Sequence, residues 1–326
     1  MEASIEKQVA GAERLLRVCG SLVAGERCLI VHDRVARPMV EILLEVSRCM
    51  AAAASAIEIP ELAMHGTEPP AGTADRMCEA QLVLGLTAKS MAHTSARLRA
   101  CQAGARYLSL PEYSPAMLGD DSLLADFVYE GARARRVADA LTDSNSIRVT
   151  TAKGTDLIMS ARGRVANCCP GYVSAPGELG SPPDIEANVS PIEALSAGVA
   201  VIDGSIPHPE LGLLESDVRL EVREGRISRI DGPPETVAVL TRLFESVDRD
   251  KSRVLAECGI GLNPLAGLTG VMLTDEGAIG TMHLGFGSNS TVGGTNHVPF
   301  HLDFVMRSPT IKADNTVILR DGECLL

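Results

Sequence analysis

Two segments near the C-terminal end hold side chains suited to metal chemistry. In Gly280-Thr281-Met282-His283-Leu284-Gly285-Phe286-Gly287 a histidine stands among glycines. Eighteen residues later comes His301-Leu302-Asp303-Phe304-Val305. Residues two apart on a strand point to one face, so His301 and Asp303 converge on a common point. With His283 they make two imidazoles and one carboxylate. That set suits a facial iron(II) site with open positions, and equally part of a zinc site. Gly285, Gly287, Gly293 and Gly294 would let backbone approach a ligand closely.

Two acids, Glu178 and Glu257, belong to the same inventory. Glu178 follows Pro176-Gly177 in a Gly/Pro-rich loop, an unusual place for a merely solvated charge. Glu257 is expected at the end of a helix spanning Pro234 to Ala256, against small and apolar residues. An acid there meets the negative end of the helix dipole, and a nearby cation would remove the penalty. Glu276, between Asp275 and Gly277, reads as a solvated turn residue. His297, in Asn296-His297-Val298-Pro299, is a candidate substrate contact. His32, His65 and His93 are isolated and read as structural or surface histidines. The adjacent pair Cys168-Cys169 precedes Pro170 and reads as two thiols in a turn.

The elements that position these residues fall into two regimes. Before residue 145, strand and helix patterns alternate. Strands are expected at Cys28–Val31, Ala56–Ile59, Leu82–Leu86 and Arg106–Leu110, with helices over Ser4–Val23, Arg37–Met50, Ser90–Ala103 and Leu123–Thr142. Short connections between such units imply a parallel sheet covered on both faces. After residue 145, β-branched runs and Gly/Pro-rich turns dominate. Ser146–Thr151 and Thr155–Ser160 flank Lys153-Gly154 as a hairpin, and Asp217–Arg223 alternates strictly before a turn at Glu224-Gly225. The expected fold is therefore an α/β domain over 1–145 and a β-rich α+β domain over 146–326 that carries the metal site. No Gly-x-Gly-x-x-Gly fingerprint or phosphate-binding loop follows any strand.

Six landmarks in order give the second half a family likeness. They are Lys153 through Leu157, Pro176-Gly177-Glu178, Val201 through Ser205, Glu257 through Asn263, Gly280 through Gly287, and His301-Leu302-Asp303. Together they resemble the metallo-aminopeptidases of the aminopeptidase T and S group. They also resemble a shorter relative of that group, the 2,5-dihydroxypyridine 5,6-dioxygenases. The first branch implies two cations (zinc, manganese or cobalt) on Glu178, Glu257, His283, His301 and Asp303, and an amide hydrolase. The second implies a single iron(II) on His283, His301 and Asp303, with Glu178 as acid/base and Glu257 beside the metal, cleaving a small hydroxylated aromatic ring. The peptidases carry a tyrosine shortly after the first metal histidine. Here Leu284 through Ser290 has none, which with the chain length favours the dioxygenase. The resemblance also implies a homodimer.

Composition excludes other classes. Lys plus Arg is 30 against 42 for Asp plus Glu, a net charge of −12, and aromatic residues are 3%. A nucleic-acid partner would need a basic surface, and single strands need stacking platforms. No apolar run approaches the roughly 18–20 residues of a membrane span. Acid among the first residues, Met1 to Glu6, does not suit a signal peptide. Nine scattered cysteines without a Cys-x-x-Cys pair suit a reducing compartment, so a cytoplasmic enzyme with a small-molecule substrate is expected.

Overall fold

The computed structural model describes residues 3–50 and 52–326. Met1, Glu2 and Ala51 lie outside the described residues, and with them part of the acidic start and of the alanine run at 50–56. Two compact units emerge: Met1–Val128 with Pro170–Pro183, and Tyr129–Cys169 with Asp184–Leu326. A single cut at residue 145 therefore differs from the observed division. The helix Phe127–Thr142 falls almost wholly in the second unit, and residues 170–183 return to the first. The return is made by Leu179–Gly180, which pairs in parallel with Arg106–Ser109. Local periodicity carries no signal of a two-residue strand borrowed from later in the chain.

The first unit is built on a five-stranded parallel sheet. Its order is Ala53–Glu58, Arg27–His32, Leu82–Leu86, Arg106–Ser109, Leu179–Gly180. Leu82–Leu86 is buried at every position, as a strand covered on both faces must be. In doubly wound sheets a ligand often sits beyond the strand ends where the strand order reverses, here between Arg27–His32 and Leu82–Leu86. In this chain a carboxylate takes that place. Asp33 accepts from the amides of Val35 (3.0 Å), Ala36 (3.2 Å) and Ala88 (2.6 Å). The amides of both loops are spent internally, consistent with the missing dinucleotide fingerprint.

The second unit is β-rich, as expected, with an eight-stranded and a seven-stranded sheet. The turn at Glu224-Gly225 is present, both residues having positive φ (48° and 68°) between the antiparallel strands Val218–Arg223 and Arg226–Asp231. The seven-stranded sheet runs Gly212–Leu213, Ser205–Ile206, His301–Arg307, Thr281–Gly287, Leu255–Gly261, Glu186–Val189, Asn167–Cys169. The expected helix Pro234–Ala256 is corrected here. It stops at Glu245, a short turn of helix capped by Asp248 covers Arg249–Ser252, and Leu255–Gly261 is a fully buried strand. Glu257 thus sits in mid-strand, not at a helix end. The apolar spacing that suggested a longer helix is used twice. Phe244 of the helix stacks on Phe304 at 6.2 Å, and Leu255, Cys258 and Ile260 fill the sheet interior.

In the first unit, Gly85 leaves room for the phenol of Tyr107, whose hydroxyl is buried without a hydrogen-bond partner. Tyr107→Phe is therefore expected to leave stability unchanged or raise it, by up to about 1 kcal/mol, because it deletes an unpaid desolvation. Gly85→Ala is expected to cost about 1–3 kcal/mol by overpacking, and less in the Tyr107→Phe background. Thermal unfolding of the three variants measures both effects.

Candidate metal centre

Period-two alternation divides the seven-stranded sheet into an apolar and a polar face. Cys258, Ile260, Met282, Leu284, Phe286, Leu302, Phe304 and Met306 are buried, and they alternate along their strands with Glu257, His283, His301 and Asp303. Register aligns the polar set across strands. Gly261 faces Glu186, Gly259 faces both Asn188 and His283, Gly285 faces both Glu257 and Asp303, and Gly287 faces His301. A bulge between Leu255 and Glu257 shifts the pairing by one residue. It lets Leu255 point into the apolar side while Glu257, two residues on, points to the polar one.

The glycines serve the side chains more than any ligand. A Cβ on Gly259 would penetrate the His283 ring. A Cβ on Gly285 would lie 2.6 Å from His301 Nε2 and 2.9 Å from Asp303 Oδ1. Each imidazole thus lies across the bare backbone of a neighbouring strand. Gly294 has the same function in the 288–300 loop, where it makes way for the Asn289 carboxamide.

Glu257 joins the two histidines. Its Oε1 is 3.8 Å from His283 Nε2 and its Oε2 is 3.4 Å from His301 Nε2. His301 Nε2 is also 3.2 Å from Asp303 Oδ1, and His283 Nε2 is 3.3 Å from Glu186 Oε2. His301 Nδ1 donates to the Ser288 carbonyl at 2.9 Å, which turns Nε2 toward the carboxylates. Two overlapping donor triplets result, Glu186–Glu257–His283 and Glu257–His301–Asp303, each with its ligand atoms within 4.8 Å of one another.

The sequence-derived residues are therefore mostly gathered. His283, His301, Asp303 and Glu257 share one face. Glu178 belongs to the first unit, where its carboxylate accepts from Ser174 N (2.6 Å) and Ala175 N (2.9 Å). His297 is exposed on the loop between the two histidine strands, 3.5 Å from Ser290 Oγ. Glu276 corrects its solvated reading: it is half-buried and its carboxyl hydrogen-bonds Asp303. Glu186 and Asp184 are additional acids of the cluster that no sequence motif marks. The Glu186-Ala187-Asn188-Val189 alternation was the available signal, but it is only four residues long and follows Pro182-Pro183.

Electrostatics show what the cluster lacks. Burial pushes Glu186 up to about 7; His283 opposes the rise, and Glu257 adds to it. Burial also raises Asp184 and Glu276 well above the carboxylate range, reinforced by neighbouring acids. Burial alone would lower both histidines. Instead the hydrogen bond to Glu257 and the charge of Glu186 lift His283 to about 9, and Asp303 with Glu257 lifts His301 to about 10. The His301 side chain is 33% exposed, so solvent screens its share. In the cation-free protein, protons occupy positions that a divalent cation would take. His283 Nδ1, Glu186 Oε2 and Asp184 Oδ1 are buried without hydrogen-bond partners. Imidazole and carboxylate donors with unmet lone pairs fit a divalent metal.

The sequence model of the NicX family, 2,5-dihydroxypyridine 5,6-dioxygenase, matches residues 12–325. The chain belongs to the NicX family. It is accordingly a metal-dependent ring-cleaving dioxygenase. Its fold is similar to that of a 2,5-dihydroxypyridine dioxygenase from Pseudomonas putida KT2440, with TM-score 0.81, 20% identity, and 99% of this chain and 98% of that one covered. It is also similar to wild-type AmpT from Thermus thermophilus, with TM-score 0.66, 15% identity, and 98% and 99% covered. No curated protein sequence matches the chain.

Glu186, His283 and His301 all bind protons more tightly folded than unfolded. The sign is therefore the same for each: stability of the chelated protein falls as pH rises. The loss runs from about 4.5 to about 7 through Glu186, then from 6.5 to about 10 through the imidazoles. A bound cation displaces those protons, so its stabilisation grows with pH. Thermal melts from pH 5 to 9, with chelator and with divalent metal, are expected to diverge; parallel curves would contradict the assignment.

Gly259→Ala is expected to dislodge the His283 ring. Cation affinity should fall at least about tenfold, a loss of the size seen when a ligand's support is removed. Destabilisation should be about 1–3 kcal/mol. Isothermal titration with the variant measures the first, and thermal unfolding the second.

Proposed function

We propose that the family's dioxygenase chemistry runs here on iron(II) held by His283, His301 and Asp303. The substrate is a small hydroxylated heteroaromatic ring of the 2,5-dihydroxypyridine class. The observation that carries this reading is Glu257 within 3.8 Å of both imidazoles, with Asp303 in the same cluster. Iron(II) held there would supply redox chemistry toward dioxygen that no side chain provides.

The chain's own residues prepare that chemistry. Glu257 holds both rings in one orientation, and Ser288 fixes the His301 tautomer. Asp303 is kept ionised below the usual range, chiefly because His301 outweighs its burial. His297, exposed on the loop between the metal strands, contacts the substrate rim. Family resemblance supports a homodimer. All nine cysteines are free thiols, which supports a reducing, cytoplasmic setting. No helix among the described residues is long and apolar enough to cross a membrane.

A second reading has one specific support. Two donor triplets sharing Glu257 suit a pair of bridged cations, as a zinc or cobalt amide hydrolase would use. Anaerobic reconstitution with iron(II), then oxygen uptake over hydroxylated pyridines and benzenes, separates the two. One O₂ consumed per ring lost is expected, falling to background in His301→Ala and Asp303→Ala. Amine release from aminoacyl amides with zinc or cobalt, without oxygen uptake, would establish the hydrolase instead.

A further inference from the structure

Beside the histidine cluster, the polar face continues onto the edge strand Asn167–Cys169. Cys169 stands opposite Glu186 in register, and Asp184 enters from the turn before the Glu186 strand. Cys169 Sγ, one oxygen of Asp184 and one of Glu186 lie within 4.8 Å of one another. Two further observations point to a ligand. Asp184 Oδ1 and Glu186 Oε2 have no hydrogen-bond partner, in residues only 4% and 5% exposed. Among the described residues, Asp184 makes no ion pair and Glu186 pairs only with His283. Carboxylate oxygens buried in this way are costly unless something positive meets them.

The surroundings orient the donors outward from the protein's own hydrogen bonds. Asn167 Nδ2 donates to Asn188 Oδ1 at 2.8 Å, which fixes the Asn188 carboxamide. Asn188 Nδ2 then donates to Glu186 Oε1 at 2.6 Å and to Cys169 Sγ at 4.0 Å. One amide thus steers both a carboxylate and a sulfur, as outer partners of metal ligands do. Cys168, its neighbour, points elsewhere, with Sγ 3.9 Å from the Gly131 carbonyl oxygen.

We propose that Cys169, Asp184 and Glu186 form a second cation site, distinct from the histidine set and suited to a thiophilic divalent ion of the zinc class. One thiolate and two carboxylates supply the soft and hard donors such an ion accepts, with a further position open. Glu186 is shared with His283, so the two sites are coupled through one carboxylate. The site's occupant holds the edge strand to the Glu186 strand and sets the charge behind His283.

Cobalt(II) titration of chelated protein under anaerobic conditions tests this, read by the thiolate-to-cobalt absorption in the near ultraviolet. The native protein is expected to take two equivalents, one of them with the thiolate band. Cys169→Ser should lose the band and one equivalent, whereas Cys168→Ser should lose neither. Asp184→Asn keeps the thiol and should bind that equivalent about tenfold more weakly, or worse. It carries the test should Cys169→Ser not fold. His301→Ala should keep the band while losing the other equivalent, so failure of the iron assignment and failure of this one are told apart. No band at saturating cobalt, or a band indifferent to both Cys169→Ser and Asp184→Asn, overturns the proposal.

Discussion

Glu257 stands between two imidazoles on a sheet face that also carries Glu186 and Asp303, with Asp184 and Glu276 close by. Five carboxyls gather around two histidines here, four of them buried. Negative charge in such density is tolerable only if protons or a cation compensate it. The raised proton affinities of His283, His301 and Glu186 are the metal-free solution to that problem. Metal is the other solution, and it exchanges protons that respond to pH for a fixed charge that can take part in chemistry.

The backbone is arranged around this constraint. Three successive antiparallel strands bring Glu257, His283, His301 and Asp303 onto one face, while the opposite face packs against Phe244. Glycines at 259 and 285 leave the space the rings occupy. A rigid sheet suits such a role better than a loop, because donor positions are set by ladder hydrogen bonds. The same alternation that buries Phe286 and Phe304 exposes the donors to one another. Stability and function thus use alternate residues of the same strands.

Much of this was legible in the residues. His301 and Asp303, two apart in an apolar run, announced a shared face, and the glycines around His283 marked a crowded backbone. The parallel sheet of the first unit followed from its short apolar runs. Other features were hidden for physical reasons. Glu257 looked like a helix end because the apolar spacing of Pro234–Ala256 serves a helix and then a bulged strand. Glu186 is unmarked because its strand is short and follows a proline pair. Glu276 looked solvated because a turn sequence does not reveal that its carboxyl reaches Asp303. The return of 170–183 to the first unit rests on a two-residue strand, which no local pattern announces.

The most direct test of the central claim is anomalous diffraction at the iron edge, on crystals grown anaerobically with iron(II). The account predicts a peak in contact with His283, His301 and the Asp303 carboxylate. Density showing both imidazoles still paired to Glu257, with no anomalous scatterer among them, would contradict it.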